Sequence, residues 1–124
     1  TEIYTLSLHD ALPICLDMAD AEFAAFLKSA LDVEADDWVQ AFLCAALYRL
    51  NRDEYLPRLL GALDNDNDQV RCAAVNLLSY TVKEKDKSTI REALKSRREK
   101  EDPEAVSVIS TIDQCLQEIE GAQQ

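Results

Sequence analysis

Along most of the chain, apolar residues recur at spacings of three and four. In residues 21–31 they are Phe23, Phe26, Leu27, Ala30 and Leu31, and in residues 38–50 they are Val39, Phe42, Leu43, Ala46, Leu47 and Leu50. That period gathers them on one broad face of an amphipathic helix. Leu56, Leu59, Leu60 and Leu63 continue it, followed by Val70, Ala73, Ala74, Leu77 and Leu78. Two last helices are predicted from Ile90, Ala93 and Leu94, then from Val106, Ile109, Ile112, Cys115, Leu116 and Ile119.

The six segments pair into an internal repeat. The first helix of each pair carries Ala-Leu near its end: Ala30-Leu31, Ala62-Leu63 and Ala93-Leu94, 32 and 31 residues apart. Each second helix opens on a valine, Val39, Val70 and Val106, at offsets of 31 and 36 residues. The larger offset assigns SRREKED, residues 96–102, to a long third turn. Asp36, Asp68 and Asp102 stand close before the second helices, where an aspartate can accept from an orphan backbone N–H and favours the positive helix end. Pro103 suits a first helical position, where no donor is needed. Ala45, Ala46, Cys72, Ala73 and Ala74 are small enough to let neighbouring helices approach. One such pair cannot bury its apolar face alone, whereas stacked pairs share a continuous core. The expectation is an all-α, single-domain α-solenoid (an armadillo-type superhelix) of three helical hairpins within residues 18–120. Its repeats fall at about 20–50, 53–81 and 87–119, and residues 121–124 form a short tail.

Residues 55–80, YLPRLLGALDNDNDQVRCAAVNLLSY, resemble a HEAT-type repeat, in particular the short bacterial HEAT-like form. The resemblance lies in Leu56-Pro57, Leu59-Leu60, Ala62-Leu63, the Asp-rich turn, Val70-Arg71 and Ala73-Ala74, and extends more weakly over residues 20–119. Repeat one has Gln40 where the family's arginine would stand, and repeat three has Ser107, departures from the family's ladder of turn aspartates and arginines. The resemblance implies a curved solenoid that serves protein–protein binding, and it brings no catalytic residue common to the family. Two alternatives stay open: an accessory domain of an enzyme, such as the HEAT-like phycobilin lyases, or a structural fragment of a longer HEAT solenoid.

The first fourteen residues, TEIYTLSLHDALPI, stand apart. They match, residue for residue, the translation of a common short-read sequencing adapter, whose final T agrees with the first base of a Cys15 codon. Residues 1–17 are therefore expected to be a non-native leader, with Met18 a candidate natural start, and such scars do not enter fold reasoning. The chain's single histidine, His9, and its neighbour Asp10 lie in this segment. Without them the chain has no imidazole to act as a general base.

Composition narrows the chemistry further. The chain has 124 residues, 13 basic against 24 acidic, and a net charge of −11, which becomes −9 without Glu2 and Asp10. Such acidity opposes binding to nucleic-acid phosphates and to anionic membranes. The longest apolar run, residues 41–48, is too short to span a bilayer. Two glycines exclude a phosphate-binding loop. Cysteines 15, 44, 72 and 115 form no CxxC pair, so no zinc site is expected, and small buried thiols suit a cytoplasmic protein. The DNDND turn, residues 64–68, is superficially like a calcium loop but has Gln69 where glycine belongs and no closing carboxylate. Neither metal nor cofactor is expected.

Charge is uneven along the chain. Residues 15–69 carry four basic and twelve acidic side chains, whereas residues 83–100 carry eight basic and four acidic. Within the second segment Lys87, Arg91 and Lys95 recur every four residues and are expected to project together from one helix face. Such a stripe is ordinarily a solvated face. The surrounding acidity also makes it a candidate surface for an acidic protein partner, or for self-association with the N-terminal repeats. Trp38, at the start of a second helix, is expected to pack into the inter-repeat groove, the alternative being a binding anchor. Tyr48, Tyr55 and Tyr80 are expected to be partly buried, the alternative being that they line a surface.

Overall fold

The structure, a computed structural model, describes residues 20–121. Among them are α1 (Asp20–Val33), α2 (Asp37–Arg49), a 3₁₀ turn (Asp53–Tyr55), α3 (Leu56–Gly61), a 3₁₀ turn (Ala62–Asp64), α4 (Asp68–Thr81), a 3₁₀ turn (Glu84–Asp86), α5 (Lys87–Lys100) and α6 (Val106–Gly121). They build the all-α solenoid of three helical pairs that the repeat pattern predicts. The suspected leader with His9, Asp10 and Cys15, the candidate start Met18 and the end of the tail lie outside the described residues.

The second helices form a continuous layer, because α2 packs on α4 and α4 on α6. The first helices cover one side of it, α1 and α3 against α2 and α5 against α6. The core between the layers holds Phe23 and Leu27, Leu47 and Tyr48, Leu59 and Leu63, Val75 and Leu78, Ile90 and Leu94, and Val108, Ile112 and Ile119. Each such side chain contributes about 1.5–3 kcal/mol on leaving water.

The buried positions reveal the register. In the first helices Ala24, Leu27 and Leu31 correspond to Leu56, Leu59 and Leu63, and then to Lys87, Ile90 and Leu94. The spacing predicted from the Ala-Leu pairs therefore holds. In the second helices Leu43, Cys44 and Leu47 correspond to Ala74, Val75 and Leu78 at an offset of 31. The third correspondence differs from the expectation. Val70, Ala74 and Leu77 map onto Val108, Ile112 and Cys115, an offset of 38, and Val106 is 68% exposed where Val108 is 1% exposed. The reason is that residues 96–100 belong to α5, which continues past Ala93-Leu94, so that only residues 101–105 turn. Val106 then falls on the first residue of α6, before the helix meets the core.

Turn chemistry departs from the expectation in similar detail. Asp36 caps α2 as expected, its Oδ1 accepting from Trp38 N at 2.8 Å and Val39 N at 3.1 Å. Asn67, rather than Asp68, caps α4, accepting from Gln69 N at 2.9 Å. Asp68 is the first helical residue, where its charge favours the helix dipole. Asp102 accepts from Glu104 N at 2.8 Å inside the 101–105 turn, and Pro103 lies in that turn rather than in a helix. After α2 the chain reverses through Asn51 at φ 67°, a left-handed conformation that asparagine tolerates. Of the small residues, Ala45 and Ala74 are fully buried, whereas Cys72 and Ala73 are only partly so.

The corrected register has a direct test. Val108→Ala should lower stability by about 1–3 kcal/mol in denaturant unfolding. Val106→Ala should leave the midpoint nearly unchanged. Equal effects would show that α6 is rotated from its described register.

Candidate interaction surfaces

Three sets of polar and aromatic side chains are organised by this register. The first runs along the intra-repeat turns. Gln40 Nε2 donates to the Glu34 carbonyl six residues back, at 2.7 Å, and Arg71 Nη1 makes the same i−6 contact with the Asn65 carbonyl at 2.8 Å. Glutamine thus retains in repeat one the turn-closing contact that arginine makes in repeat two. Asn65 Nδ2 donates to Asp37 Oδ2 at 2.8 Å, linking the first two turns. Arg71 Nη2 then donates to Glu101 Oε1 at 2.6 Å, and Arg97 Nε to Glu101 Oε2 at 2.9 Å. The Glu101 side chain is 1% exposed. A carboxylate so buried is tolerable because two guanidinium groups hold its two oxygens. Arg97 also donates to Asp64 Oδ1 at 3.1 Å, which returns the network to repeat two. The corrected register puts Ile109, not Ser107, at the arginine position of α6.

The second set lies on the opposite edge. Tyr48 is fully buried, not partly as expected. Its hydroxyl donates to Asp86 Oδ2 at 2.7 Å and accepts from Lys83 N at 3.3 Å. Burial first, and the Asp86 hydrogen bond second, push its ionisation well above the usual tyrosine range. Lys83 Nζ sits 4.4 Å from the centre of the Tyr48 ring and donates to Asn51 and Asp53, each at 2.9 Å. Lys85 also pairs with Asp53. This cluster ties the loop after repeat one to the loop after repeat two.

The third set contains the four residues singled out from sequence. Lys87, Arg91 and Lys95 do not project together. Lys87 is 8% exposed, because the repeat places it where Ala24 and Leu56 enter the core, and its ammonium pairs with Glu84 at 2.7 Å. Arg91 is partly buried, and Lys95 is exposed. Most other cations of α5 and the loop before it are also paired, including Arg98 with Asp113 at 2.6 Å. That arginine holds the Asp113 carboxyl below the usual carboxylate range, so the pair persists at neutral pH and is lost as pH falls through the lowered value. Trp38 does not pack into an inter-repeat groove. It is 48% exposed and stacks on Phe42, one turn along α2, with ring centres 6.0 Å apart and planes at 21°.

The family model for HEAT repeats matches residues 24–110. The chain belongs to the HEAT-repeat family. Searches of curated proteins and of solved structures returned no match.

Among the described residues the candidate chemical groups do not converge on one site. Cys44 and Cys115 are buried, and burial raises both thiol pKa values, Cys115 to about 11. In the DNDND turn Arg71 Nη1 approaches the Asn65 and Asp66 carbonyls at 2.8 and 3.1 Å, so a guanidinium stands where a metal would seek oxygen ligands. Among the described residues no three His, Cys, Asp or Glu side chains converge on a common point. Two inter-repeat grooves among the described residues, one between α3 and α5 and one between α1 and the loop after α2, each hold about 260 Å³, below the ~300–1,000 Å³ usual for small-molecule sites.

Sequence reading missed the Glu101 node because Glu101 sits in a charged stretch that looks like a solvated turn. Arg71 and its i−6 contact were the available signal. Glu101→Ala should cost about 1.5–3 kcal/mol, since it removes the acceptor that two partly buried arginines share while leaving each its other partners. Asp113→Asn, which breaks an exposed pair, should leave the thermal midpoint nearly unchanged. A second expectation concerns the thiols. Iodoacetamide at pH 8 should leave Cys44 and Cys115 unmodified in the native chain and label both in denaturant, as peptide mass spectrometry would show. Rapid native labelling of Cys115 would contradict its place in the core.

Proposed function

We propose that this HEAT-repeat chain is a non-enzymatic scaffold that binds another protein through the outward face of its second-helix layer. The observation that carries this reading is the presence of rigidly mounted, exposed aromatics on that layer. Trp38 is braced against Phe42, and Tyr80 on α4 is 52% exposed. The repeat register sets Trp38 and Phe42 in line with Gln69 and Ala73 of α4, so they belong to one continuous surface. Large aromatic side chains on packed helices lose little conformational freedom on binding, which makes them effective anchors.

The net charge of −11 favours a protein partner over nucleic acid or an anionic membrane. No helix among the described residues is long and apolar enough to cross a membrane. Buried free thiols suit the reducing cytoplasm, where we place the chain. The chromophore-handling alternative calls for an apolar groove. The groove between α3 and α5 is instead lined in part by Asp64, Arg97 and Lys100.

The test is affinity capture from a lysate of the source cells, comparing the parent with Trp38→Ala/Tyr80→Ala. The parent should retain a discrete partner, and the double variant, with unchanged helicity and thermal midpoint, should lose at least about 2 kcal/mol of binding. Equal recovery by both would remove the second-helix face from the binding surface.

A further inference from the structure

We propose that this chain stacks head to tail with a second copy of itself, the α5 edge of one copy receiving the α1 edge of the next. The proposal concerns a different surface from the second-helix face and stands independently of it. It starts from how the repeats already meet. Repeat two receives repeat three along a groove lined by Leu60 and Asp64 on one side and Ser96 and Arg97 on the other. Arg97 Nη1 donates to Asp64 Oδ1 across it at 3.1 Å.

The first-helix register carries the receiving positions Leu60 and Asp64 onto Arg91 and Lys95 of repeat three. It carries the entering positions Ser96 and Arg97 onto Val33, the last residue of α1, and Glu34, which follows the helix and whose Oε2 accepts from Asp36 N at 3.1 Å. Arg91 and Lys95 therefore mark the edge on which a further repeat would stack, and the α1 flank is the edge that would enter. A copy docked as repeat three docks on repeat two brings Glu34 to Lys95. This is the Asp64–Arg97 ion pair with its charges exchanged.

Three further observations agree. Val33 is 78% exposed and Phe26, two turns earlier on the same flank, is 44% exposed, so the entering flank presents two exposed apolar side chains among the described residues. Arg91 has no acceptor among the described residues, and its Nε is buried without a partner. Finally, residues 20–37 carry six acidic and one basic side chain, whereas residues 83–100 are net basic. The first helices at the two ends of the array, α1 and α5, thus carry opposite net charges. The contact uses different surfaces on each copy, so it does not close at a dimer and continues as an open series.

Sedimentation equilibrium of the full chain tests this. The weight-average mass should rise past that of a dimer with concentration and fall as salt screens the junction. Lys95→Glu alone and Glu34→Lys alone should each weaken association at least about tenfold, because each creates a like-charge junction. A one-to-one mixture of the two variants should associate like the parent, since every junction between unlike chains again pairs opposite charges. Trp38→Ala should associate as the parent does. A parent chain that stays monomeric at every concentration would overturn the proposal. So would a mixture that fails to associate when both variants keep parental helicity, or a loss of association in Trp38→Ala, which would move the contact to the second-helix face.

Discussion

The side-by-side packing of α2, α4 and α6 is the interaction on which the rest of this structure depends. A single helical pair here has too little apolar surface to offset the entropy of ordering it. The central helix resolves this by meeting a neighbour on each flank, which is why Ala74, Val75 and Leu78 are fully buried. The first helices then need to cover only one side of the layer. Their buried residues repeat at the spacing of the Ala-Leu pairs because each meets the same kind of surface.

Polar contacts follow from the packing rather than driving it. Once the second helices are aligned, the intra-repeat turns lie in a row, and Asn65, Arg71 and Glu101 link them in sequence. On the other edge Tyr48, Lys83 and Asp53 link the inter-repeat loops. Burying Glu101 is costly in itself, and the two arginines that offset the cost come from different repeats. The node therefore favours one register between repeats two and three over its neighbours. An apolar contact alone would specify that register less sharply.

Much of the architecture is legible in residue order because helical periodicity and internal repetition are both written there. The Ala-Leu spacing by itself aligns Leu31 with Leu63 and Leu94. What escapes is what depends on where a helix stops. The charged run SRREK has no apolar residue to mark it as helix, yet Ala93 and Leu94 pack well enough to carry α5 through it. The valine pattern consequently places Val106 two residues out of register. Lys87 is misleading because charge outweighs position in a sequence pattern. Its long aliphatic stem fills a core site while the ammonium reaches Glu84. The candidate surface is legible only in part. Trp38 stands out by residue type, but its bracing by Phe42 and its exposure depend on the packing of its helix.

The functional reading depends on a rigid array whose centre is its most stable part, and native-state hydrogen exchange measures that stability directly. Amides in the middle of α4 should exchange only through global unfolding, with protection at least equal to that of any other segment. Protection should decline toward α1 and toward the end of α6. Exchange from α4 by local opening, ahead of α1 or α6, would contradict the claim that the second-helix layer holds the repeats together.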